Sequence, residues 1–107
     1  MRATDVEVCG RPYRAVAAES FFDALLGIHA VDSDVEAIVI PGSSVHGLTL
    51  HHPIWAFGVD RSGDGTAGRL LRPGRILRFP GAAGVVELVH GLECENRHRS
   101  HTIRWAG

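Results

Sequence analysis

Ser44-Val45-His46-Gly47-Leu48-Thr49-Leu50-His51-His52-Pro53-Ile54-Trp55-Ala56-Phe57-Gly58-Val59-Asp60 runs into Arg61-Ser62-Gly63-Asp64-Gly65, and this stretch sets how the chain is read. Residues 54 to 59 are apolar and rich in aromatic and β-branched types, which suits a strand. Residues 45 to 50 read as a second strand piece that places Leu48 and Leu50 on one face. Pro53 joins the two pieces, since proline donates no ladder hydrogen bond and belongs at a strand's start. Asp64-Gly65 marks a hairpin turn, where residues that tolerate positive φ are needed.

On either side of that stretch the pattern stays β. Residues 6 to 17 alternate loosely and are interrupted at Gly10 and Pro12, as two short strands or one strand with a turn would be. Ala37-Ile38-Val39-Ile40 is an apolar run of the kind covered on both faces, and Pro41-Gly42 stops it. Leu70-Leu71 begins a return strand, Pro73-Gly74 is a turn, and residues 75 to 79 alternate. Residues 81 to 84 form a corner of small side chains, and residues 85 to 89 read as a buried strand. One helix is predicted, at 20–27: Ser20 caps it, Phe21, Phe22, Leu25 and Leu26 share a face, and Gly27 ends it. At about two turns it is too short to stand alone and has to pack on the sheet. Residues 92 to 107 form a polar tail with a last short strand in which only Ile103 and Trp105 look buried. The expectation is a mainly β, single-domain β-sandwich or barrel over residues 1–107 with one short helix near 20–27. An α+β sheet with its helix on one face is the alternative.

Composition excludes several function classes. A chain of 107 residues can bury a useful core without metal or disulfide staples. The formal net charge is -1 at pH 7, so nothing global attracts nucleic acid or an acidic membrane surface. No apolar run approaches the roughly 20 residues of a membrane span, and the N-terminus lacks a signal-type apolar core. All 11 basic residues are arginine, which fits the codon bias of a GC-rich genome. The expected location is the cytoplasm, where two free thiols are the default for Cys9 and Cys94; a bridge between them stays open and needs the first and last strands to be neighbours.

Several short pieces resemble domain-of-unknown-function family 192, a group of small prokaryotic proteins. They are Ser44-Val45-His46, Pro53-Ile54, Val59-Asp60-Arg61, Leu71-Arg72-Pro73-Gly74-Arg75, Gly81-Ala82 and Val86-Glu87-Leu88, in that order, within roughly residues 15 to 90. The family pattern has an acidic residue where this chain has Trp55, a methionine at Leu50, Arg-Phe at His51-His52 and an arginine near Ala24. The hairpin turn here also carries Ser62-Gly63 before Asp64-Gly65. The resemblance implies a diverged bacterial member with a compact mainly β fold and no assigned activity. Trp55 is then a core or interface anchor in place of an acid.

The candidate chemistry is sparse. His46, His51 and His52 invite a metal, but on one straight strand His46 and His52 lie about 20 Å apart and His51 faces away. Cys94, His98 and His101 are one ligand short of a closed zinc site, which Cys9 could complete. Asp60 and Asp64 lack the other oxygens of a calcium loop. Ser44 and His46 share a strand face but lie beyond hydrogen-bond reach, and there is no nucleophile elbow. Arg69, Arg72, Arg75 and Arg78 recur every third residue without the interleaved aromatics of a single-strand binder. The expectation is a non-catalytic module binding a small molecule or a protein, with no cofactor, no metal, no nucleic acid and no membrane partner. Its ligand site is expected at Ser44, His46, Leu50, His52 and Trp55, with Arg72 and Arg75 as an anion-binding rim. The alternative is an enzyme or metal-binding protein centred on His46, His51 and His52.

Overall fold

The first two strands meet through a turn that their sequence dictates. Cys9 and Gly10 both have positive φ, at 53° and 82°, which is the type I′ requirement of a two-residue hairpin. Val8 therefore pairs with Arg11, and the register carries through to Arg2 opposite Ala17. The structure is a computed structural model that describes residues 2–18, 34–48, 50–66, 68–89 and 102–105. Among these residues it has ten strands and no helix: β1 Arg2–Val8, β2 Arg11–Ala17, β3 Ala37–Pro41, β4 Ser44–His46, β5 Ile54–Val59, β6 Asp64–Thr66, β7 Arg69–Leu71, β8 Ile76–Arg78, β9 Gly84–Leu88 and β10 Thr102–Trp105. The predicted helix at 20–27 lies outside the described residues.

Eight strands form one sheet in the order β6-β10-β1-β2-β3-β9-β5-β7, and β4 pairs with β8 as a separate ribbon. The sheet curls into a half-barrel, so the chain is a mainly β, compact single domain. All the described sheet pairings are antiparallel except β2 with β3. A parallel pair cannot be joined by a tight turn, and residues 18–36 supply the long connection it needs. The curl is fixed where β5 turns into β6. Gly63 adopts φ +87° there, and a Cβ at that position would overlap the Trp105 carbonyl. The Trp105 amide donates to the Gly63 carbonyl at 2.7 Å, which ties the last strand to the turn. The polar tail thus returns to the sheet: β10 lies between β6 and β1, with Ile103 buried.

The sheet has two apolar faces. On the inner one, Val6, Val8, Tyr13, Ala15, Ala17, Phe57, Val86 and Leu88 form one cluster, against which Trp55 and Trp105 pack. On the other, Ile38, Ile40, Ile54, Ala56, Leu71 and Val85 form a second cluster, closed by Val45 and Phe79 beside the β4–β8 ribbon. The middle strands β3 and β9 are buried from both sides, as continuous apolar runs should be. The strand read at 45–50 is shorter than expected. It ends at His46 because the Gly47 amide bonds the Arg75 carbonyl at 2.7 Å and the Leu50 amide turns back to the Gly47 carbonyl. Leu48 is consequently 67% exposed, while Leu50 packs on the second cluster, so the two do not share a face.

The cysteine expectation is corrected. Cys9 is disulfide-bonded, and the one other cysteine in the sequence, Cys94, lies outside the described residues. Both could be expected as thiols because the sequence does not reveal the distance on which a bridge depends.

Candidate functional site

The residues expected to form a ligand site are dispersed. Ser44 is exposed on β4 opposite Arg78, and the half-buried His46 stands opposite Ile76. His46 Nδ1 accepts a hydrogen bond from the Leu48 amide at 3.4 Å. His52 is exposed with Nδ1 3.2 Å from the Pro53 carbonyl oxygen. Leu50 packs on the second cluster and Trp55 on the first, so those two lie on opposite faces of the sheet. His46, His51 and His52 do not gather: no group of three His, Cys, Asp or Glu among the described residues is placed to hold a metal ion. His98 and His101 lie outside the described residues.

The four regularly spaced arginines are divided by the fold. Arg72 and Arg75 sit exposed in the turn between β7 and β8, where the Arg75 amide donates to the Arg72 carbonyl at 3.1 Å. Arg69 and Arg78 instead reach one groove of about 380 Å³, together with Gly58, Asp60, Asp64 and Phe79. Arg69 Nη1 donates to the Arg78 carbonyl at 2.7 Å, and its guanidinium lies 5.4 Å from the centre of the Phe79 ring. A guanidinium held by a carbonyl and an aromatic face keeps its remaining N–H groups in a fixed direction.

The floor of the groove depends on Gly58. Position 58 falls on the same face as Ala56 and Ile54, and Phe79 packs directly over it. A Cβ at Gly58 would lie 2.8 Å from Phe79 Cβ and 2.9 Å from its Cδ1, so any side chain would push the ring away. The far wall is the turn after β5. Asp60 Oδ1 accepts from the Ser62 amide at 2.9 Å, the Ser62 hydroxyl at 2.6 Å and the Asp64 amide at 3.1 Å. These bonds, the Ser62 hydroxyl first, hold its carboxyl below the ordinary carboxylate range. Asp64 faces Arg104 of β10 at 3.5 Å.

A second cavity of about 450 Å³ lies along β1 and β2, lined by Thr4, Asp5, Arg14, Val16, Asp34 and Val35 among others. Its arginine is already engaged. Arg14 Nη1 is 3.4 Å from Asp34 Oδ2, and the Arg14 amide donates to Glu36 Oε1 at 3.2 Å. The difference from the first groove is that Arg14 already faces a carboxylate, whereas Arg69 is held by a carbonyl and a ring.

Sequence reading missed Glu87. It stands at the centre of β9, opposite Ile38 on one side and Ala56 on the other, and it is 4% exposed. Burial pushes its carboxyl up to about 7. Beyond Ala56 in the same row lies Arg69 on β7. An acid with that affinity for protons can in principle donate or accept one near neutrality. Here its cross-strand neighbours are two apolar side chains. The available signal was a single acid inside the apolar run Val85-Val86-Glu87-Leu88-Val89.

The groove has the shape and charge to bind, and among the described residues its lining includes no histidine, serine or cysteine. The sequence matches no family model, no curated protein and no solved structure.

Proposed function

We propose that the chain is a non-catalytic binding module for a small molecule, and that its site is the groove between the turn after β5 and the corner at Pro80-Gly81. The observation that carries this reading is Arg69, fixed by the Arg78 carbonyl and by Phe79 at the edge of a cavity of about 380 Å³. That volume falls in the range of small-ligand pockets, and a positioned guanidinium is suited to forked contact with an anionic group. The anion-binding role expected of Arg72 and Arg75 passes in this reading to Arg69 and Arg78. An enzyme or metal protein centred on His46, His51 and His52 is less well supported, because those side chains do not converge.

The mainly β half-barrel is also compatible with a diverged member of domain-of-unknown-function family 192, as the order of short sequence pieces suggested. The bond at Cys9 weighs against the cytoplasmic location expected from the lack of a membrane-spanning run and of a signal-type apolar core. An oxidising compartment suits such a bond better. No helix among the described residues is long and apolar enough to cross a membrane.

The direct test is an amide-resonance titration of the labelled protein with small carboxylates, phosphate and amines. Shifts confined to Gly58, Asp60, Arg69 and residues 79–82 support the reading. Shifts that centre instead on Leu48 and Ile76, the exposed apolar side chains beside the β4–β8 ribbon, contradict it.

A further inference from the structure

The groove holds two pairs of like charges, and the opposite pairs do not meet. Arg69 and Arg78 are joined on one side through the 2.7 Å bond to the Arg78 carbonyl. Asp60 and Asp64 are joined on the other, the Asp64 amide donating to Asp60 Oδ1 and the Asp60 amide to the Asp64 carbonyl. All four line the same cavity. Among the described residues, neither of these arginines comes within 4.0 Å of either aspartate to form an ion pair. Each pole is held from behind: Asp60 by its turn, Arg69 by Phe79 and a carbonyl, Asp64 by Arg104. The gap between the poles is floored by Gly58 and Phe79.

Among the described residues of this lining, two arginines stand against two aspartates, with Arg104 behind Asp64. A dianion would gain at the arginines and be repelled from the opposite wall, and a simple cation would meet the reverse. A molecule that carries both charges gains at both ends, and it alone is complementary along the whole groove. We infer that the ligand is a zwitterion of the amino-acid type. Its carboxylate lies against Arg69 and Arg78, its ammonium against Asp60 and Asp64, and its apolar part over Phe79. Since the Asp60 carboxyl is held below its ordinary range, the acidic wall stays charged into mildly acid solution. This inference rests on the groove being the binding site.

The test is a titration of the labelled protein with glycine, leucine and phenylalanine, and in parallel with N-acetyl-leucine, leucine methyl ester, acetate and phosphate. At least one amino acid is expected to move the amide resonances of Gly58, Asp60, Arg69 and Gly81. Blocking either its amine or its carboxylate should weaken binding by about tenfold or more, the equivalent of one lost charge contact. Arg78→Gln and Asp64→Asn should each weaken it to a similar degree with at most a small shift in melting temperature, because both side chains are exposed and Asp64 loses only its exposed pair with Arg104. N-acetyl-leucine or the methyl ester binding as tightly as leucine would overturn the zwitterion and leave the groove reading intact. So would acetate or phosphate moving the groove resonances when no amino acid does. A groove that answers to none of these probes would overturn both.

Discussion

The two faces of the curled sheet differ in what closes them. The inner face is closed by the sheet's own curvature. Strands as far apart in the order as β10 and β5 contribute Ile103 and Phe57 to one cluster, and nothing charged lies in it. The second face is closed by separate pieces, the β4–β8 ribbon and Phe79 beside it. Where Phe79 meets Gly58 the cover ends, and the groove opens at its edge. Glu87, Arg69 and Gly58 all belong to this second face. A sheet that folds onto itself can exclude water with small aliphatic side chains. A face covered by a short ribbon leaves a rim, and the polar chemistry collects there.

That contrast is tested most severely by removing mass from the inner face. Phe57 is fully buried, so Phe57→Ala should lower unfolding free energy by about 3–5 kcal/mol, measured by urea denaturation. A loss under about 1 kcal/mol would mean that the inner cluster does not carry the fold.

Glu87→Gln tests the second face. Its folded-state pKa is raised from 4.5 to about 7, so the protonated form is favoured by folding. The stability it contributes is complete below about pH 4.5 and is lost as pH rises through about 7. Each tenfold change in proton affinity on folding is equivalent to about 1.4 kcal/mol. The wild type should therefore gain on the order of 3 kcal/mol between pH 8 and pH 4.5 that the glutamine variant does not gain. Parallel pH profiles of the two proteins would refute the burial of this acid.

Gly58→Ala comes next. The new methyl group has to displace Phe79, an overpacking cost of roughly 1–3 kcal/mol, and it narrows the groove at the same time. A thermal midpoint equal to the wild type's would show that the ring lies elsewhere. The smallest effect is expected at Arg104→Ala. The pair with Asp64 is exposed on both sides, 72% and 59%, so the change should stay within about 1 kcal/mol. A larger loss in chemical denaturation would reveal that β10 depends on that contact.

Much of the sheet was readable along the chain. Residues 54–59 form β5 as their composition predicts and Ala37 to Ile40 are buried on both faces. The turn after β5 lies earlier than expected: Asp60 organises it and Gly63 supplies the positive φ, while Asp64-Gly65 already belong to β6. The expected site was less readable. Leu50 and Trp55 are close in sequence but fall on opposite faces, because the chain turns back at Gly47 and re-enters the sheet at Ile54. Glu87 looked like one polar residue in an apolar strand, and only its neighbours Ile38 and Ala56 give it its character.

Much of the local grammar is written in the chain: most of the runs that become strands, and that the domain is mainly β. Alternation, β-branching and glycine conformation act within a few residues, so they can be read there. Which charges meet is settled only when the sheet has folded. Arg69 and Arg78 line one groove while Arg72 and Arg75 stay in their turn, and Asp60 and Asp64 line that same groove. That sorting depends on how a ribbon docks on a curled sheet, a long-range packing event that no spacing in the chain encodes.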